Sequence, residues 1–184
     1  MSYAYSVNAA CIEGDAEDFR FINSLPDDPV QEKDILTFLA GAEVHIKGRT
    51  PYERPSKDFQ GKTSTDDPFA PIYAATDKVV LSCTLASADW ERTTIDRGDL
   101  VPEVEKLKRE GNGYIIVTGR SGITRTLLQH DLVDELRMSV FPMLLGQGFR
   151  MFNFDDVGTS KEFELISCEP GTNGVVVRHY RRHR

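Results

Sequence analysis

Tyr114-Ile115-Ile116-Val117-Thr118-Gly119-Arg120-Ser121-Gly122-Ile123 is the stretch on which the fold turns. Apolar residues follow one another without the alternation of a half-exposed strand, which is the pattern of a strand covered on both faces in a parallel sheet. The glycines then turn the chain into a helix whose apolar positions are Ile123, Leu127 and Leu128. Upstream, Leu100 to Glu110 reads as an amphipathic helix with Leu100, Val104 and Leu107 on one face, stopped by Gly111-Asn112-Gly113. Lys78-Val79-Val80-Leu81-Ser82 repeats the buried-strand pattern.

Further out, Tyr3 to Cys11 reads as a first strand, ended by Gly14-Asp15. Leu25-Pro26-Asp27-Asp28-Pro29 starts a helix with an Asp placed to cap it and a Pro in its first turn; Ile35, Leu36, Phe38 and Leu39 form its stripe and Gly41 closes it. Glu43 to Lys47 is a short strand, and Gly48-Arg49-Thr50-Pro51-Tyr52-Glu53 a strand-to-helix turn. From Arg54 to Thr76, Pro, Asp, Ser, Thr and Lys recur without a period, so an irregular surface excursion is expected. Leu136 to Phe141 and Phe163 to Ser167 read as strands, and Val175 to Tyr180 pairs with the latter across Gly171-Thr172-Asn173-Gly174. Strands alternating with helices predict an α/β fold: a mostly parallel sheet covered on both faces, with an antiparallel hairpin at one edge, in a single domain over residues 1–184.

Composition bounds the function. Among 184 residues, 22 Lys and Arg face 29 Asp and Glu, a net charge of −7, with 40% apolar residues. That is enough for one core, and the acidic balance argues against a nucleic-acid partner, whose phosphates demand clustered cations. Cys11, Cys83 and Cys168 lie far apart, so neither a metal cage nor a disulfide framework is expected. With no leader-like N-terminus and no apolar run long enough to span a bilayer, the expectation is a cytoplasmic protein without membrane contact.

In open α/β sheets, ligands collect where strand ends turn into helices. Three such turns stand out: Gly48-Arg49-Thr50, Ser82-Cys83-Thr84-Leu85 and Gly119-Arg120-Ser121-Gly122. Glycine lets backbone approach a phosphate, arginine offers a forked donor, and hydroxyls complete the set, so together they read as a dinucleotide cradle. Neither G-x-G-x-x-G nor a P-loop is present.

The succession of segments carries a resemblance. Val-Val-Leu-Ser-Cys-Thr-Leu at 79–85, Trp90 with Thr93 and Thr94, Gly98-Asp99-Leu100, Ile-Ile-Val-Thr-Gly at 115–119, Leu-Val-Asp-Glu-Leu-Arg at 132–137 and Phe-Pro-Met-Leu-Leu-Gly-Gln-Gly at 141–148 occur in this order. The sequence resembles the reductase domain forming the C-terminal part of bifunctional riboflavin-biosynthesis proteins, within the dihydrofolate-reductase-like group. The resemblance implies a three-layer α/β/α reductase, usually homodimeric, that binds NADPH and acts on a small heterocycle such as a pterin or a ribosylaminopyrimidine. It places the pyrophosphate on Gly119, Arg120, Ser121, Gly122 and Ile123, and the adenosine phosphate near Gly48, Arg49, Thr50, Ser82, Thr84 and Leu85. By the same analogy Ser6, Asn8 and Gly146 face the substrate, and Asp27 or Asp28 is the acidic candidate for supplying a proton, the other reading of an Asp before a helix being its cap.

Three departures from that pattern are visible: Asn8-Ala9 in place of Asp-Gly, Pro51 in place of Thr, and Arg120-Ser121 in place of small residues. They keep open a second expectation, a non-catalytic protein that retains the cofactor cradle. His45 reads as partly buried and structural or else catalytic, Trp90 as packing, and Tyr52 as either packing or ring stacking. The basic tail from Arg178 to Arg184 reads as a solvated sheet edge.

Overall fold

The computed structural model describes residues 3–9, 25–118, 122–143 and 160–183. Its elements run β1 (Tyr3–Ala9), α1 (Pro29–Ala40), β2 (Ala42–Gly48), α2 (Arg49–Phe59), α3 (Ala70–Ala75), β3 (Asp77–Leu81), β4 (Thr93–Asp96), α4 (Leu100–Glu110), β5 (Tyr114–Thr118), α5 (Gly122–Gln129), β6 (Glu135–Val140), β7 (Phe163–Pro170) and β8 (Val176–Arg182). The strands form one sheet in the order β4-β3-β2-β5-β1-β6-β8-β7. From β4 to β6 neighbours are parallel; β8 is antiparallel to both β6 and β7. The mostly parallel sheet with a terminal antiparallel hairpin is the architecture expected from the sequence.

Side-chain alternation sorts the helices into two layers. Val44, Ile46, Ile115 and Val117 pack with Val104 of α4 and Leu127 and Leu128 of α5. The residues between them point the other way, so Ile116 packs with Leu39 of α1 and with Ile72 of α3, and Val80 with Tyr52 of α2 and Trp90. A strand covered on both faces favours apolar residues at successive positions, which is why Ile115-Ile116-Val117, all buried, shows no alternation.

Two expectations are corrected. The segment from Arg54 to Thr76 is partly regular: α2 continues to Phe59, and α3 packs Ile72 with Ile116 of β5 and Tyr73 against His45 of β2. Pro51 is tolerated because the first helical N–H groups have no partner inside the helix, and α3 is too short for a periodic signal. The tail from Arg178 is not an edge, because β8 lies between β6 and β7 and its side chains are engaged: His179 and Arg181 meet the buried Glu135 at 2.6 and 3.1 Å. The edge on this side of the sheet is β7, where Leu165 and Ile166 are exposed.

β4 was not foreseen. Its four residues, Thr-Thr-Ile-Asp, extend the parallel sheet beyond β3 and bring the chain back to the carboxyl end of the strands.

Candidate active site

Three strand ends, of β3, β2 and β5, lie side by side. β2 ends at Gly48, which offers α2 no side-chain cap, so the first N–H groups of that helix stay available, and the helix dipole favours an anion there. Gly48 is also where two of the expected turns touch, since a side-chain carbon built on it would lie 3.6 Å from Cδ1 of Ile123 in α5.

Arg49, the first residue of α2, reaches sideways. Its Nε donates to Glu53 Oε1 at 2.8 Å, one helical turn on, and its Nη1 donates to Thr84 Oγ1 at 3.2 Å. The Arg49 side chain remains half exposed, leaving guanidinium donors turned to solvent beside the Thr84 hydroxyl. Ser82 shapes the neighbouring turn: its Oγ accepts from the Thr84 N–H at 3.2 Å and the Leu85 N–H at 3.0 Å. Thr50 is exposed in the first turn of α2, and Leu85 is buried beneath the loop.

Arg97, at the end of β4, completes this corner and was not singled out in the sequence. Its Nη1 donates to the carbonyls of Ser82 and Cys83 at 3.4 and 3.2 Å, and its Nη2 to that of Leu85 at 2.9 Å. One guanidinium therefore spans the turn. The available signal was the β-branched run Thr93-Thr94-Ile95, which marks the strand that delivers Arg97.

Gly119, Arg120, Ser121 and Gly146 lie outside the described residues, whereas Gly122 and Ile123 open α5. Ser6 and Asn8 lie on β1, with Ser6 level with Val117 of β5 and Asn8 level with Met138 of β6. They sit in the middle of the sheet, on the side of β5 away from Arg49.

Beyond β1, the β7–β8 turn meets the start of α1 at the same end of the sheet. Asp28 Oδ1 accepts from the N–H groups of Val30 and Gln31 at 3.0 and 3.1 Å, and Oδ2 from the N–H and hydroxyl of Thr172 at 2.7 and 2.9 Å. Hydrogen bonds from Gln31 and then Thr172 hold its carboxyl below the usual carboxylate range. Asp28 is thus a helix cap and a latch to the hairpin, poorly suited to give up a proton. Asp27 beside it is exposed.

Tyr52 and Trp90 pack instead of facing a ligand. They are 4% and 3% exposed, and the Tyr52 hydroxyl accepts from the Trp90 N–H at 3.2 Å. Among the described residues no cluster of His, Cys, Asp and Glu is placed to hold a metal. No helix there is long and apolar enough to cross a membrane.

An α/β sheet of this order, parallel from β4 to β6 and closed by an antiparallel hairpin, is that of the dihydrofolate-reductase-like fold. Residues 61–177 match the family described as the RibD C-terminal domain, and the chain belongs to that family. The uncharacterized protein YyaP of Bacillus subtilis is 30% identical over 99 residues, or 54% of this chain and 51% of that protein, so the match spans about half of its curated relative. A Shewanella sp. PV-4 protein provisionally assigned to riboflavin biosynthesis superposes with a TM-score of 0.78 at 20% identity, over 99% of both chains. Dihydrofolate reductase from Enterococcus faecalis, solved with NADP(H) and RAB-propyl, superposes with a TM-score of 0.64 at 12% identity, over 99% of this chain and 97% of that one.

Proposed function

We propose that the chain is an NADPH-dependent reductase that delivers a hydride to a small heterocyclic substrate, of the pterin or ribosylaminopyrimidine type. The observation that carries this reading is the Arg49–Thr84 contact, which joins the β2 and β3 turns into one corner with a half-exposed guanidinium. NADPH differs from NADH by one phosphate, and a forked cation beside a hydroxyl is the chemistry that recognises it. The residues present fit the cofactor: Arg49 and Thr84 take that phosphate, and the start of α5 at Gly122 offers backbone N–H groups for the pyrophosphate. NADPH supplies the hydride when bound; the chain orients it against the acceptor and excludes water. With Asp28 committed to its cap, the proton comes from Asp27 or from water.

The test is a thermal melt with excess NADPH, NADP⁺ and NADH. A ligand at 100 times its Kd adds about 2.7 kcal/mol, several degrees for a domain of this size. A shift for NADPH and NADP⁺ well above that for NADH is expected; equal shifts, or none, overturn the assignment. The engagement of both Asp28 oxygens favours one second reading, a cradle without turnover. In that case NADPH raises Tm but no heterocycle oxidises it.

A further inference from the structure

A second arginine stands near the carboxyl ends of the strands, on the other side of β5 from Arg49. Arg137 lies on β6 level with Val7 of β1, and Val7 is level with Thr118, the last residue of β5. Neighbouring strands lie about 4.8 Å apart, so the Arg137 backbone is roughly 10 Å from the point where β5 runs into the cradle turn. A cofactor laid from the Arg49–Thr84 corner past the start of α5 brings its far end toward β1 and β6. The Arg137 side chain turns to the α1 face of the sheet and is held there twice. Its Nη2 donates to Asp34 Oδ2, and its guanidinium carbon lies 4.7 Å from the centre of the Phe38 ring. A guanidinium set against a ring and pinned at one nitrogen has a fixed plane, and its five N–H donors are more than one carboxylate oxygen takes up.

Helix α1 gives access to that guanidinium. Val30, Asp34 and Phe38 are spaced by four and share one face of the helix. Exposure falls along this face: Val30 is 77% exposed, the most of any large apolar side chain among the described residues, the Asp34 side chain is 37% exposed, Phe38 is half-buried, and the Arg137 side chain is 13% exposed. The start of α1 meets the β7–β8 turn at the carboxyl end of the sheet, so the face runs from solvent down to Arg137. An apolar lip above a positioned charge suits a flat ring that carries its polar atoms along the inner edge. Asp34 balances the Arg137 charge, which leaves little attraction for a phosphate. What the guanidinium keeps is direction, since it donates hydrogen bonds and accepts none.

We infer that Arg137 is a specificity-determining residue that donates to a ring carbonyl of the heterocycle, with Asp34 and Phe38 positioning it, so that the protein takes oxo-heterocycles and rejects those with an amino group in the same place. The inference rests on the reductase reading, because the cofactor is what brings a substrate to this end of β1 and β6. A carbonyl oxygen gives the guanidinium an acceptor. An amino group sets donor against donor and leaves a desolvated cation facing it without a bond.

The experiment titrates the full chain, saturated with NADP⁺, in a calorimeter with two matched pairs of ligands: pterin beside 2,4-diaminopteridine, and 5,6-diaminouracil beside its 4-amino counterpart. Within at least one pair the oxo member is expected to bind about tenfold or more tightly than the amino member. Arg137→Met is expected to bring that ratio close to one. Should Arg137→Met fail to fold, Arg137→Gln serves the same purpose, because its amide can accept from an amino group as well as donate to a carbonyl. A residue that only held the fold together would weaken both members of a pair alike and leave the ratio standing. A native ratio near one in both pairs, no binding of any of the four ligands, or a ratio that survives substitution overturns the inference. The NADPH-selective rise in Tm reports on the cradle alone: if it is present while the ratio is absent, the inference falls and the reductase reading stands, and if it is absent both fall.

Discussion

Arg49 is where the proposed cofactor preference is concentrated. A hydrogen bond to a charged group contributes about 1.5–3 kcal/mol, so Arg49→Ala should weaken NADPH by roughly 10- to 150-fold and leave NADH nearly unchanged, as read by calorimetric titration. Equal losses for both cofactors would place the phosphate elsewhere. Asp28 makes a different kind of statement. Its folded-state pKa is depressed, so its contribution to stability is present above the ordinary carboxylate range and fades as pH falls through the folded value. Asp28→Ala should lower Tm at neutral pH, and the gap from the native protein should close on acidification below about pH 4. A gap that stays constant to pH 2 would mean that the carboxylate charge is not what matters. The sequence announced Arg49, Ser82 and Thr84 because they directly follow apolar runs. It could not decide between cap and acid for Asp28, since the deciding partner, Thr172, is 144 residues away.

At the scale of elements, β4 explains why a four-residue strand is worth having at the sheet's end: it sets Arg97 against three carbonyls of the neighbouring turn. Arg97→Ala should free that turn, raising the NADPH Kd about tenfold, a loss of roughly 1.4 kcal/mol. Amide exchange at Thr84 and Leu85 should quicken, and unchanged exchange would show that Ser82 alone holds the loop. The helix α5 depends on its buried stripe in the ordinary way. Leu127 is 1% exposed, and Leu127→Ala should cost about 2–5 kcal/mol in denaturant unfolding. The strands and long helices were legible because burial imposes a period on them. α3 and β4 were not, being too short to repeat, and α2 ran past the turn that its prolines suggested. For the same reason Lys47 looks unremarkable as a letter, and His45 reads only as partly buried: alternate residues on a strand are commonly polar, and α3, whose Tyr73 meets both, makes their face an interior.

For the whole molecule, buried basic groups set an unusual pH response. Lys47 falls from 10.5 to about 8 on folding, so between those values the unfolded chain holds more protons and stability rises with pH. Lys78 shifts in the same direction, through burial and then Arg92, partly offset by Asp77 and Glu91. The native protein should gain on the order of 1–3 kcal/mol between pH 8 and 10.5 relative to Lys47→Met, read by denaturant unfolding at each pH. A difference independent of pH would mean that Lys47 titrates normally. The strand order carries a last consequence, for how the chain is made. β1 leaves the ribosome first yet belongs between β5 and β6, so residues 3–9 have neither neighbour until more than a hundred further residues have been synthesised. Until then β1 lacks both of its sheet partners, and its own backbone N–H and C=O groups are left to pair with water or with another chain. The pairing of β1 with β5 and β6 is therefore long-range in sequence, the kind of contact that closes slowly.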